Sequence, residues 1–391
     1  MSCVIFGAGK IARGFVGHLL FLSGIEFVFV EKVDALADLI NERGQYTVNI
    51  LGDESKNTLV TGAKALKFSQ IDEILDAIAG ADCIFDAVGG KNLGEIVPFL
   101  TKGIEKRASV NPTPLNIVTC ENWKLPADVL RNGISESISE EYREFFENCV
   151  GITEAVIMRS AIESTPDLLA IDPLVVNAQD FWEFPYDASR LKAPMPENMI
   201  CLKPIYEFTG FLERKFYTYN AANGTTSFVG ALLGYKYIAD AAHDERILAL
   251  LDGVYKETAT ALSLKHNFPF DEQWAFTRTS LRKLQDRNIV DYIERNARDP
   301  MRKLGPDDRL VGSARLCLQY GVRPECLAVA IACAMHYEEP TDEYALKLEE
   351  IRENCGYDAV LRDVCRLDPD GELGMLIKEK IAQIKEWGWL K

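Results

Sequence analysis

Apolar residues run without a polar break over Cys3–Phe6 and again over Phe27–Val30, the pattern of parallel strands covered on both faces rather than of half-exposed ones. Between them Ile11, Phe15 and Leu19 recur at helical spacing and predict a helix from about Lys10 to Leu22, stopped by Gly24. Cys83–Val88 and Leu115–Thr119 predict further buried strands, whereas Tyr46–Leu66 alternates and turns at Gly52 and Gly62, predicting a small antiparallel excursion. A passage with Pro185, Pro194, Pro196 and Pro204 follows, and beyond it the period becomes helical. Ile247, Leu250, Leu251 and Val254 share one face, as do Leu327, Ile331 and Met335 behind a helix-starting Pro324. These elements predict an α/β chain: an N-terminal Rossmann-type doubly wound sheet over residues 1–193, then a mainly α-helical domain over 194–391.

A chain of 391 residues, 48% hydrophobic and 26% charged, is long enough for two cores, since single cores rarely outgrow about 250 to 300 residues. No run approaches the roughly 20 uncharged apolar residues of a membrane helix, and Met1–Gly7 passes straight into a strand rather than a cleavable leader. A cytoplasmic protein without membrane contact is expected, as a monomer or small homo-oligomer. The net charge of −16 argues against a nucleic-acid partner, whose phosphates need a basic face. The ten cysteines form no CxxC pair, and His18, His243, His266 and His336 lack the spacing of a helical zinc site. Reduced thiols and metal-free chemistry on a small molecule are the expectation.

Chemistry first shows itself between strand and helix, in Gly7-Ala8-Gly9-Lys10-Ile11-Ala12. Gly7 would allow the tight turn, Gly9 would let a pyrophosphate approach the backbone, and small Ala12 would let the helix pack closely. Glu31, ending the second strand, stands where the adenosine ribose hydroxyls belong and disfavours a 2′-phosphate, which points to NAD over NADP, although Lys32 is its neighbour. The cofactor set is then Gly7, Ala8, Gly9, Lys10, Ile11 and Glu31, joined by Val88 and Gly89 at the end of a later strand. Asn122, delivered by Leu115–Thr119 to a strand carboxyl end, is a further site candidate.

Several motifs in order resemble a known family. They are Phe6–Phe15, Pro114–Ile117 with Cys120-Glu121-Asn122, Glu213-Arg214-Lys215 with Asn220, Arg302-Lys303-Leu304 with Asp308-Arg309-Leu310, and Ala332–His336. Over nearly the whole chain they are similar to the polyol-specific long-chain dehydrogenases of the mannitol dehydrogenase family. That resemblance implies a Rossmann-type domain before a helical one, and metal-free hydride transfer between NAD(H) and a sugar alcohol or ketose. In members of this compact size the substrate is typically phosphorylated, with mannitol 1-phosphate and fructose 6-phosphate the default pair. It also implies that Lys215 is the general base and that Asn122 and Asn220 hold the reacting oxygen.

Oxidising a secondary alcohol needs a base for the hydroxyl proton and donors for the oxygen as charge develops. A lysine near its ordinary pKa of about 10.4 is a poor base at neutral pH, so burial or a cationic neighbour, with Arg214 one candidate, has to lower it. On an ideal helix Lys215, Asn223 and Thr226 lie within about 80° of one another, with Asn220 at the edge. Two positions depart from the family pattern. Asn223 stands where K-x4-N-x2-H ends in histidine, and Met158 precedes Arg159 where the family has an aspartate. Asparagine can donate a hydrogen bond but carries no titratable proton. For a phosphate, guanidinium forks are suited, and Arg159, Arg295, Arg298 and Arg302 are the candidates, with Lys303 and Arg309 nearby. Two alternatives stay open: a hexuronate–hexonate oxidoreductase using Arg159 for the carboxylate, and a catalytically weak NAD(H)-binding sensor.

Overall fold

The computed structural model describes residues 2–162 and 164–390. The chain separates into two units, Met1–Phe208 and Thr209–Lys391.

In the first unit the strands are β1 (Ser2–Phe6), β2 (Glu26–Glu31), β3 (Gln45–Leu51), β4 (Thr58–Thr61), β5 (Ala65–Lys67), β6 (Cys83–Asp86), β7 (Leu115–Thr119), β8 (Val150–Glu154), β9 (Ala161–Ile162), β10 (Val176–Gln179), β11 (Phe184–Asp187) and β12 (Leu202–Ile205). A parallel sheet carries the order β5-β2-β1-β6-β7-β8. The chain turns from one winding direction to the other between β1 and β6, the place where doubly wound sheets leave a crevice at their carboxyl ends.

The unbroken apolar strands have a direct cause, because successive side chains meet different layers. Cys3, Ile5, Phe85 and Val118 pack under Ala12, Phe15 and Leu19 of the first helix. Val4, Phe6, Ile84 and Ile117 pack under Ile78, Ile96 and Leu100, from the helices Ile71–Gly80 and Leu93–Val110. The first helix is not uniform: a wider π turn occupies Ala12–Gly17 before the α-helix His18–Leu22.

The expected excursion is present as antiparallel β3 and β4, but its last residues leave it, since β5 returns to the main sheet beside β2. A smaller sheet forms in the order β4-β3-β10-β9. The proline-rich passage belongs to the first unit because β12 pairs with β11.

The named elements of the second unit are all helices, with one isolated bridge between Tyr237 and Tyr292. Its core gathers Phe228, Leu251, Val254, Ile331, Leu316 and Ile377. Glu245–His266 is its longest helix, and Glu325–Ala334, started by Pro324, is apolar on all sides and lies in the middle of this core.

Candidate active site

The carboxyl ends of β1 and β6 meet at the glycine turn. Gly7 has φ +85°, donates to Val30 O at 2.8 Å, and a Cβ there would stand 2.8 Å from Ala87 O. Its glycine is demanded by the chain itself. Gly9 differs: its φ is not left-handed, it is exposed, and a Cβ would meet nothing within 4 Å. Neither backbone nor neighbours require a glycine there, so the open space at this helix start suits a group from outside the chain, as a dinucleotide pyrophosphate would be. Lys10 beside it is exposed and Ile11 half-buried.

Glu31 is bound up with this turn. One carboxylate oxygen accepts Ala8 N–H at 2.7 Å and the other accepts Val33 N–H at 2.8 Å, so Glu31 holds the turn against the end of β2 and keeps lone pairs to spare on both oxygens. Lys32, the residue that could favour a 2′-phosphate, is engaged with Glu95 at 2.6 Å.

The loop after β6 is held by two acids that the sequence did not single out. Asp86 accepts Val88 N–H at 3.2 Å and Glu121 accepts Gly89 N–H at 2.6 Å. Burial raises both carboxyl groups, and Glu121 raises Asp86 further. Asn122 follows Glu121, exposed just past the end of β7.

In the second unit Lys215 ends the helix Phe208–Lys215, a π turn runs over Phe216–Asn220, and the helix continues as Ala221–Leu232. That wide turn rearranges the motif. At about 100° per residue an unbroken α-helix would set Asn220 roughly 140° from Lys215, but a turn holding one extra residue reduces this to about 40° and brings Asn223 to about 20° on the other side. Lys215, Asn220 and Asn223 therefore share one stripe. Thr226, expected with them, is fully buried and donates its hydroxyl to Ala222 O.

Among the described residues no carboxylate pairs with the Lys215 ammonium. Burial first, and then the Arg309 guanidinium, lower its pKa from 10.5 to about 8. The cationic neighbour is thus Arg309 and not Arg214, which is committed elsewhere. Arg214 binds Gln273 at 2.5 Å and Glu272 at 2.8 Å, and stacks 4.4 Å from the Phe276 ring centroid. A second amine, Lys283 of the helix Phe270–Leu284, is likewise lowered to about 8, by burial and by the charge of Lys215. Nothing in the sequence marked it, since its segment reads as a charged helix face.

The phosphate candidates are divided between the two units, one in the first and three in the second. Arg159 is 2% exposed in the first unit's core, donating to Phe181 O at 2.6 Å and Gly14 O at 3.0 Å, facing His18 at 3.1 Å, and stacking 4.2 Å from the Trp182 ring centroid. These contacts tie it to the first helix and to Phe181, while its Nη2 has no hydrogen-bond partner among the described residues. Arg295 is exposed and bound to Asp291, and Arg298 is exposed with its carbonyl accepting Lys303. Arg302 bridges Asp299 at 3.1 Å and Asp308 at 3.2 Å, and Arg309 takes Asp308 at 2.9 Å. Of these, Arg309 is the guanidinium whose charge reaches Lys215.

A glycine turn open at Gly9 stands in the first unit, and a lysine without an acid partner, aligned with two asparagines, stands in the second. Residues 1–198 match the mannitol dehydrogenase Rossmann domain and residues 207–361 the mannitol dehydrogenase C-terminal domain. The chain belongs to the mannitol dehydrogenase family. As a member it is a dehydrogenase whose Rossmann unit binds NAD. The chain is 33% identical over 378 residues to a mannitol-1-phosphate 5-dehydrogenase of Bacillus licheniformis, covering 96% of this chain and 98% of that one. It is 30% identical over 386 residues to the enzyme of the same name from Thermoanaerobacter pseudethanolicus, covering 99% and 98%. In fold it is similar to a D-sorbitol dehydrogenase, with TM-score 0.82 at 14% identity over 99% of this chain and 93% of that one. It is also similar to Pseudomonas fluorescens mannitol 2-dehydrogenase, solved with NAD and D-mannitol, with TM-score 0.70 at 13% identity over 100% and 92%. Family membership thus bears out the resemblance read from the motifs, and the parallel sheet with its helical successor bears out the fold.

Proposed function

We propose that this chain interconverts a polyol phosphate and a ketose phosphate with NAD(H), mannitol 1-phosphate and fructose 6-phosphate being the first pair to consider. The observation that carries the reading is Lys215: buried enough to fall to about 8, beside a guanidinium, without an acid partner, and in line with Asn220 and Asn223. The names of the relatives at 33% and 30% identity supply the substrate. The first unit is the NAD-binding domain and the second the catalytic one, in a protein working in the cytoplasm without metal, nucleic acid or membrane.

In the oxidising direction neutral Lys215 takes the hydroxyl proton, while NAD supplies the acceptor for the hydride leaving the same carbon. Asn220 donates an amide N–H group to the oxygen as it gains charge, a contribution worth a few kcal/mol when it acts on a developing oxyanion. In the reducing direction the lysine ammonium returns the proton to the ketose oxygen. Glu31 and Glu121 hold the backbone of the glycine turn and of the loop after β6, which would receive the cofactor.

The hexuronate alternative rests on Arg159 as carboxylate partner, a buried side chain already engaged with Phe181, Gly14 and His18. NADH oxidation by the purified protein, with fructose 6-phosphate, fructose and a hexuronate in parallel, tests the proposal. Turnover highest on the phosphorylated ketose is expected; NADH binding with no turnover on any of the three would replace it by the sensor reading.

A further inference from the structure

Of the five tryptophans in this chain, Trp182, Trp274, Trp387 and Trp389 each lie against another ring, at centroid separations of 4.8 to 5.9 Å. Trp123 has no ring, cation or hydrogen-bond partner among the described residues and is 53% exposed. Its place is fixed all the same. A Cβ on Gly90 would stand 2.6 Å from Trp123 Cβ and nearer still to Cγ and Cδ2, so the indole rests on a stretch of backbone that only glycine leaves open. The two loops that meet here are tied twice more, by Glu121 accepting Gly89 N–H and by Cys120 N–H donating to Asp86 O at 2.7 Å. Leu125, two residues on at φ +50°, is 52% exposed as well, so the uncovered apolar surface extends beyond one side chain.

The order of the sheet says which part of a dinucleotide reaches this indole. Glu31 ends β2, Gly9 follows β1, and the loops carrying Gly90 and Trp123 follow β6 and β7, in a sheet where β2, β1, β6 and β7 are successive parallel neighbours. Neighbouring strands lie about 4.8 Å apart. A dinucleotide with its adenosine ribose at Glu31 and its pyrophosphate at Gly9 therefore carries its other half across the end of β6 toward β7. That half ends in the nicotinamide, a planar ring that is a cation when oxidised and neutral when reduced. We infer that Trp123 is a cofactor-binding residue whose indole stacks on the nicotinamide and favours the oxidised ring, because the negative face of an indole attracts a cation. The inference rests on the reading of Glu31 and Gly9 as NAD contacts, and it adds where the reacting ring lies and which redox state is held more firmly there.

The experiment measures the Kd of oxidised NAD and of NADH by titration calorimetry, with no substrate present, for the wild type, Trp123→Leu, Trp123→Phe and Gly9→Val, and records the Tm of each. In Trp123→Leu the Kd of oxidised NAD is expected to rise about 5- to 30-fold, the range of a desolvated cation–π contact. The Kd of NADH rises only about 2- to 5-fold, since a neutral ring loses stacking alone. The Tm stays as it was, because the indole is half exposed and packs on no core. Trp123→Phe recovers most of the affinity for oxidised NAD. A charge-transfer absorption band from indole to pyridinium appears when oxidised NAD is added to the wild type and is lost in Trp123→Phe, which keeps a ring but a poorer donor. Equal losses for the two cofactors in Trp123→Leu, or unchanged affinity for both, overturn the inference, while weakened binding in Gly9→Val leaves NAD at the glycine turn. Wild-type affinity in Gly9→Val removes the reading of that turn and this inference with it.

Discussion

The Arg309 guanidinium lies over the ring of Phe216, 5.7 Å from its centroid, next in sequence to Lys215. The ring holds one face of the cation while Asp308 pairs with it at 2.9 Å, and after burial its charge is the main cause of the lowered lysine pKa of about 8. Oxidation needs neutral Lys215, so its rate should rise with pH and level off above about 8. Arg309→Met removes the charge, raises the lysine pKa toward its ordinary value, and shifts this limb upward, slowing oxidation at pH 7.5 by roughly 3- to 10-fold if the shift is half to one unit. A pH–rate profile unmoved by the substitution would show that burial alone sets the pKa.

Lys215→Ala should lower kcat by about 10²- to 10⁴-fold, the range for a positioned proton acceptor. NADH affinity should stay as it was, because the glycine turn and its acids belong to the other unit. Stopped-flow NADH binding alongside steady-state turnover checks both halves. Full turnover in the alanine variant would require another base, and Lys283, lowered to about 8 as well, would be the first to examine.

Glu257 gives the second unit a pH-dependent weakness. Its carboxylate caps the buried helix Glu325–Ala334 by accepting Cys326 N–H at 2.6 Å and Leu327 N–H at 3.0 Å, yet burial raises its pKa from 4.5 to about 7. Below pH 4.5 the group is protonated in both folded and unfolded chains and adds no pH dependence. Between 4.5 and 7 the unfolded chain releases its proton first, so stability falls as pH rises, by about 3 kcal/mol in all above 7. Glu257→Gln should flatten this part of the profile, read as a smaller drop in Tm between pH 5 and pH 8.

How much of this the sequence disclosed depended on how local the signal was. The strand–turn–helix of residues 3–22, the acid at Glu31 and the helix behind Pro324 are fixed by neighbours in the chain, and each stands where its pattern predicted. Lys215 and its asparagines could be named, but not their alignment. The π turn changes the angle between Lys215 and Asn220 by about 100°, and no periodicity encodes it. Lys283 and Asn296 reach the stripe from other helices through tertiary packing alone. Arg159 shows the converse: a lone arginine reads as available to an anion, and only the Phe15 and Trp182 rings and the Gly14 carbonyl show how far it is engaged within the first unit.

The two glycines of the turn separate what the fold requires from what the cofactor requires. Gly7→Ala forces a Cβ to within 2.8 Å of Ala87 O on a backbone at φ +85°, a strain of order 1–3 kcal/mol. Its first effect should be a lower Tm, with NADH binding weakened in proportion. Gly9→Val, by contrast, adds a side chain whose Cβ meets no atom of the chain within 4 Å. The Tm should hardly move, while the NADH Kd rises at least about 10-fold, because the branched side chain occupies the approach that a pyrophosphate needs to reach the helix start. Fluorescence titration with NADH and thermal unfolding of both variants give the comparison. Unchanged NADH affinity in Gly9→Val would mean that the cofactor enters elsewhere, and the dinucleotide reading of this turn would fall even though the fold around it stands.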